Sequence, residues 1–243
     1  MERKDRKQTK NNMKNSKKFA VIAASVCALA LSVERASAVA SLSLFDGFTT
    51  TTVTDGSGGD SNLSAGAVTF NGAIGVWTIN VSTGLSKPIL GSSSSPEMDL
   101  NSVDFSSAAG TLVIRFTDDG FNTPGGGSAY ATIGGTLANT AGNSITYKTY
   151  QIIGGTTNLL TTISANTTPF SGVGSAPTTP SGSYSLVQEI TIVHKSKGNT
   201  SFDATLTVPD GGMTAALLGF GTTSSFGSCW GHFRATITKI LAF

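Results

Sequence analysis

The sequence predicts an all-β fold: a single antiparallel β-sandwich of jelly-roll-like type, preceded by an N-terminal signal helix and followed by a short tail. Three observations carry that expectation. Short runs between Val39 and Val208 alternate apolar and polar residues with a period of two, which buries one face of a strand and wets the other. Gly, Asn, Asp and Pro interrupt those runs at intervals of about 8 to 12 residues, the spacing of sandwiches and barrels. No window in this region repeats its apolar residues at helical spacing over three turns.

Each element follows from its local pattern. Leu42 and Leu44 alternate with Ser41 and Ser43, and the β-branched run Thr49 to Thr54 ends in Asp55-Gly56, a hairpin signal. Val68 and Phe70 share a face in the next strand. Trp77, Ile79 and Val81 share one in the strand after it, with Thr78, Asn80 and Ser82 opposite. Lys87-Pro88-Ile89 and the serine run Ser92 to Ser95 before Pro96 read as a loop. Val103 and Phe105 open another strand. In the following one Leu112, Ile114 and Phe116 face the core while Arg115 and Thr117 face water. A slip of one residue there would expose three large apolar groups, so its register is strongly specified.

Asp118-Asp119-Gly120 and the stretch Pro124 to Gly127 read as the next turn. Ala129 to Ile133, Ile145 to Ile153 and Leu159 to Ile163 are further strands, and the Pro- and Gly-rich stretch Thr167 to Gly182 reads as the longest loop. The final hairpin runs from Tyr184 to His194, through a turn at Lys197-Gly198-Asn199, into Phe202, Ala204, Leu206 and Val208, which alternate with Asp203, Thr205 and Thr207.

The N-terminus reads as an export signal. Eight basic side chains among Met1 to Lys18 precede the apolar run Phe19 to Val33, and Ala36-Ser37-Ala38 has the small-x-small form of a signal-peptidase site. Ala38-Val39-Ala40 is a second choice, and a retained anchor is the alternative to cleavage. The implied partners are the export translocase and signal peptidase. The chain divides into 1–38, a signal peptide; 39–208, the β-domain; and 209–243, the tail.

Cleavage after Ala38 changes the charge. Val39 to Val208 holds five Lys/Arg against ten Asp/Glu, a formal balance of minus five. Nucleic acid is an unsuitable partner for such a surface, because affinity for it rests on clustered cations. Cys27 leaves with the signal, so Cys229 would be the only mature cysteine and no internal disulfide could form.

The boundary of the tail is marked by Val208-Pro209-Asp210-Gly211-Gly212, followed by the apolar run Ala215 to Gly221. This string resembles the sorting signals of the PEP-CTERM group, in the variant built on Val-Pro-Asp and small residues. Leu44-Phe45-Asp46-Gly47, Val68-Thr69-Phe70-Asn71-Gly72, Pro96 to Ser102 and Gly110 to Asp118 are similar to an exported domain common among the same proteins. The resemblance implies cutting near Val208, Pro209, Asp210 and Gly211 by an exosortase-like membrane protease. It also implies a surface or extracellular-matrix protein associated with exopolysaccharide and biofilm, with no catalytic residues to carry over. The second half of the signal is degenerate: the apolar run would reach about 10 Å as a helix, where a span needs roughly 30 Å. The basic end is reduced to Arg234 and Lys239.

Constellations with chemical potential are few. Gly227-Ser228-Cys229-Trp230 matches the string around a papain-like nucleophile, but the partner His and Asn would have to lie beyond Phe243. His194 is the one histidine of the body, and its place beside Lys195 at a strand end predicts a partly solvated surface residue. No cofactor is implied. Calcium is the one metal with candidate ligands, Asp55 and Asp60 in one oxygen-rich turn and Asp118 and Asp119 in another; the competing reading is that these side chains stabilise their own turns. Tyr130, Tyr147, Tyr150 and Tyr184 are candidates for stacking on sugars if exposed. The sequence therefore supports a non-enzymatic surface or matrix protein first, a carbohydrate-binding module or adhesin second. A polysaccharide hydrolase using two of Asp99, Asp104, Asp118 and Asp119 comes third.

Overall fold

The alternating runs become twelve strands in the computed structural model, which describes residues 39–123, 127–139 and 141–209. The expected cleavage positions Ala36 and Ala38, and the tail from Asp210 with Gly211 and Cys229, lie outside the described residues. In chain order the strands are β1 (Ser41–Phe45), β2 (Thr50–Thr54), β3 (Ala67–Ile74), β4 (Trp77–Leu85), β5 (Glu97–Ser106) and β6 (Gly110–Thr123). They continue as β7 (Ser128–Thr136), β8 (Ser144–Ile153), β9 (Thr156–Ala165), β10 (Phe170–Pro177), β11 (Ser181–His194) and β12 (Gly198–Thr207).

The strands form two antiparallel sheets, the first ordered β2-β1-β6-β11-β8-β9 and the second β10-β7-β12-β5-β4-β3. The last eight strands have the connectivity of a jelly roll, with β5-β12-β7-β10 facing β6-β11-β8-β9; β4-β3 and β1-β2 extend the two sheets. Leu42, Leu44, Leu112, Ile114, Phe116, Ile190 and Ile192 of the first sheet are buried, as are Ile79, Met98, Leu100, Ala131, Ala204 and Leu206 of the second. Removing these apolar faces from water is the main favourable term in such a sandwich. The sheets are also tied by polar bonds: Tyr147 Oη donates to Thr205 O (3.0 Å), and Gln188 Nε2 donates to Ala204 O (3.0 Å).

Six local expectations are corrected by the pairing. Asp55-Gly56 does not turn a hairpin; that turn lies between β1 and β2, where Asp46 Oδ1 accepts from the Phe48 and Thr49 N–H groups. The Asp55 turn instead carries the chain from the first sheet to the second. In β4 a bulge between Ile79 and Val81 reverses the phase, so Ser82 and Gly84 face inward and Val81 does not. β5 begins at Glu97 and buries Met98 and Leu100, leaving Val103 exposed and Phe105 half-buried. Asp118-Asp119-Gly120 is a bulge within β6, where Gly120 takes a φ of 70° and three residues stand against two of β11. The Thr167 to Gly182 stretch is not a loop throughout: β10 occupies its centre as an edge strand on β7. Edge positions tolerate prolines because half of their N–H groups have no ladder partner to lose. Finally, β11 and β12 are not a hairpin. Their turn is an arch, since β11 pairs with β6 and β8 while β12 pairs with β5 and β7.

Candidate functional site

The sequence-level candidates fall in four places. Asp55 and Asp60 share the β2–β3 loop, where Asp55 Oδ2 accepts from Gly66 N (2.7 Å) and Asp60 accepts from Gly56, Asn62 and Thr69 N–H groups. These carboxylates hold their own loop. Asp118 is buried on β6, where Oδ2 accepts from Ser86 Oγ and Lys87 Nζ, each at 2.7 Å, and Oδ1 accepts from Asp119 N. The Lys87 ammonium also lies 3.9 Å from the centre of the Phe121 ring, and Asp119 is exposed. The two acidic turns are separate, and among the described residues no three His, Cys, Asp or Glu side chains gather as a metal set.

His194 corrects its expectation. It is buried between the sheets, with Nδ1 2.7 Å from Ser106 Oγ of β5, Nε2 2.7 Å from Thr200 Oγ1 of β12, and its ring centroid 4.8 Å from that of Trp77. Burial pushes its pKa down. Beside this cluster lies a second interior carboxyl. Asp104 is enclosed on the inner face of β5, with Oδ1 accepting from Ser102 Oγ (2.7 Å) and Oδ2 without a hydrogen-bond partner, and burial raises its pKa to about 7. Neither side chain reaches solvent, so neither can act on an outside substrate. Among the tyrosines, Tyr147 and Tyr184 are core, and Tyr150 is half-buried with its hydroxyl donating to Glu189 Oε1 (3.0 Å). Tyr130 alone of the four is well exposed, at 51%.

The outer face of the second sheet holds an arrangement that no single stretch of sequence displays. Register places Ser171, Gly134, Asp203, Asn101, Thr83 and Thr69 side by side across all six strands, from β10 to β3. At a strand spacing near 4.8 Å this polar row is about 24 Å long. One neighbouring row reads Val173, Thr132, Thr205, Asp99 and Leu85; the other reads Thr136, Ser201, Val103 and Val81. Thr132 and Thr205 join through their hydroxyls at 2.7 Å, as do Thr136 and Ser201 at 2.8 Å.

Gly134 has no side chain to fill its place in the row, and two depressions meet there. One, of about 700 Å³, runs over Thr132, Gly134, Ser171, Val173, Asp203 and Thr205. The other, of about 250 Å³, continues over Asn101, Val103, Gly135, Ser201 and Asp203. The result is an open trench that crosses the strands, with Val173 81% exposed on its edge and Tyr130 one row further out. Asp99 lies beside it, hydrogen-bonded to Asp203 of its lining, and Asn101 Nδ2 donates to Asp99 Oδ2 (3.1 Å). Burial, then the bond to Asp203 and its charge, raise Asp99 to about 6.

The trench was hidden in sequence by the phase of β5. A strand opening at Val103 and Phe105 leaves Asp99 and Asn101 outside it, whereas β5 starts at Glu97 and carries both on its outer face with Asp104 turned inward. The outward set of β12, Asp203, Thr205 and Thr207, was legible; its neighbours were not. Val208, the first residue of the tail motif, is buried and its N–H donates to Pro96 O (2.9 Å), while Pro209 is exposed.

No protein-family model matches the chain, and no curated protein matches it. Twelve chains of solved structures are similar to it, among them the following two. The K1 cleaved adhesin domain of Lys-gingipain from Porphyromonas gingivalis W83 is 14% identical over 60% of this chain and 99% of its own, with a TM-score of 0.31. The carbohydrate-binding module TmCBM27, described for specific mannan recognition, is 12% identical over 55% of this chain and 88% of its own, with a TM-score of 0.29. At these scores the likeness adds nothing to the strand pairings themselves.

Proposed function

We propose that this chain is an exported, non-catalytic surface or matrix protein whose β-sandwich binds polysaccharide along the trench of the second sheet. The observation that carries the reading is the gap at Gly134 in an otherwise continuous polar row. Polar side chains recur along the row once per strand, about every 4.8 Å, so an extended sugar chain laid across the strands meets a polar group at each strand it crosses. Hydroxyl, amide and carboxylate groups in such a row match sugar hydroxyls as donors and acceptors. Val173 and Tyr130 supply apolar surface for the ring faces. Water-bridged contacts suit an open site of this kind.

Filling the gap tests the reading directly. A side chain at Gly134 has room, since its Cβ would meet only Phe170 O, at 3.6 Å. Gly134→Leu is expected to fold normally and to lower affinity for a bound polysaccharide at least tenfold in affinity electrophoresis. Unchanged binding by a folded variant would sink the trench as the site.

Export is supported by the basic, apolar and small-x-small order of residues 1–38, and delivery to the surface by the Val208-Pro209-Asp210-Gly211 motif. Because Val208 is part of the fold, an exosortase-like protease would cut beyond it. Fractionation of host cells with and without residues 209–243 checks this: the full chain is expected on the envelope and the truncated one in the medium. A hydrolytic reading has less support. Asp99 and Asp203 are hydrogen-bonded rather than separated by the roughly 5 to 9.5 Å of glycosidase pairs. Asp104 faces the interior and Asp118 is held by Lys87.

A further inference from the structure

The trench carries charge of one sign. Asp203 stands in its central row, Asp99 lies beside it in the neighbouring row and bonds to Asp203, and Glu97 lies two residues along β5, where it adds to the repulsion at Asp99. From β7 the titratable side chain on this face is Tyr130; β10 and β4 contribute Ser171, Val173, Thr83 and Leu85, none of which titrates. No Lys or Arg belongs to the three rows. Arg115 and Lys148 flank Glu189 in one row of the first sheet.

We propose that Asp99 and Asp203 are the specificity-determining residues of the trench, admitting uncharged polysaccharides and rejecting chains that carry carboxylate or sulfate groups. The proposal rests on the polysaccharide reading above. A carboxylate on a sugar seated over Gly134 would lie within several ångströms of Asp203, with no cation in the rows to offset it. At such a separation near a protein surface, like charges weaken binding by roughly ten- to a hundredfold at low salt. Sugar hydroxyls incur no such repulsion. They gain charge-assisted hydrogen bonds from the same carboxylates.

The discrimination also depends on pH. Asp99 holds its proton below about pH 6 through burial and the hydrogen bond to Asp203, so the trench is one charge less negative at pH 5 than at pH 8. Acidic chains are therefore rejected more strongly at pH 8.

The test uses the full chain, wild type and the variants Asp203→Asn and Gly134→Leu. Hydroxyethylcellulose, dextran and galactomannan serve as uncharged probes, polygalacturonate and alginate as charged ones, at pH 5 and pH 8 in low salt. Wild type is expected to bind at least one uncharged polymer at both pH values, and to bind the polyuronates at least tenfold more weakly at pH 8. Asp203→Asn is expected to narrow that gap to less than threefold. A carbon-detected titration should move the Asp99 carboxyl midpoint from about 6 towards the ordinary range in Asp203→Asn, a readout that needs no ligand. Wild type that binds both polymer classes equally at pH 8, with binding still lost in Gly134→Leu, overturns the specificity proposal and leaves the polysaccharide reading standing. Failure to bind any of the five polymers counts against both, and an Asp99 midpoint near 4 in wild type overturns the proton assignment alone.

Discussion

Asp104→Asn is expected to make the protein more stable than wild type above pH 7, and to remove most of the fall in stability that wild type shows between about pH 4 and pH 7. Burial raises the folded-state pKa of Asp104 from 3.8 to about 7. The folded chain then holds a proton that the unfolded chain has released, so this contribution to stability is complete below about pH 4 and is lost as pH rises through 7. The difference corresponds to as much as about 4 kcal/mol. Asparagine keeps the Oδ1 acceptor for Ser102 Oγ and never ionises. Its extra N–H groups enter a site where Oδ2 had no partner, which reduces the net gain at pH 8 to about 1 to 3 kcal/mol.

His194 acts in the opposite sense, and this makes the experiment sharper. Its pKa is lowered by burial, so its contribution is present above about pH 6.5 and is lost as pH falls. In wild type the two slopes partly cancel below pH 6.5. In Asp104→Asn the falling Asp104 slope is gone and His194 is opposed only by Asp99, so urea midpoints at pH 4.5, 6 and 8 should fall much less with pH than those of wild type. Asp99 contributes a slope of the Asp104 sign in both proteins over a shorter window that ends near pH 6, because its pKa is also raised. Parallel profiles for the two proteins would falsify the buried-acid account.

The second large effect is expected at Gly135. A Cβ there would lie 2.0 Å from Ser201 O and 2.9 Å from the Phe202 Cα, and both are backbone of the paired strand β12. The strand cannot move away without breaking its ladder to β5 as well. Gly135→Ala is therefore expected to cost about 3 kcal/mol, at the upper end of overpacking effects. Gly134→Ala, one residue earlier and on the open face, should change stability by no more than about 0.5 kcal/mol. Comparing denaturant midpoints of these neighbours separates steric exclusion from the general loss of glycine's unfolded-state freedom, which both substitutions share. Equal effects would mean that close approach to β12 is not what requires Gly135.

Where the sequence pattern was strict, the structure followed it. Leu112, Ile114 and Phe116 are buried as their alternation required, and Phe202, Ala204, Leu206 and Val208 likewise. Such strands have one face that tolerates only apolar residues, so their phase is readable without knowing their neighbours. β5 is different because its inner row runs Met98, Leu100, Ser102, Asp104, Ser106, becoming polar halfway along. Its true phase depends on partners that arrive from elsewhere: Ser82 on β4, Thr200 on β12 and His194 on β11. The same dependence hid the burial of His194, since a histidine at a strand end is read as solvated unless hydroxyls from the opposite sheet are known to meet both ring nitrogens.

Alternation and turn chemistry by themselves determined that residues 39–208 are all-β, that their strands are antiparallel, and which side of most of them is buried; those properties are set largely by local sterics and the drive to remove apolar side chains from water. Only the tertiary structure decided which strands are neighbours. It made β11 and β12 members of different sheets, turned Asp118-Asp119-Gly120 into a bulge, and recruited β10 from an apparent loop. The trench belongs to this second kind of information. Ser171, Gly134, Asp203, Asn101, Thr83 and Thr69 lie up to 134 positions apart in the chain, and only the interstrand hydrogen-bond register brings them into one row.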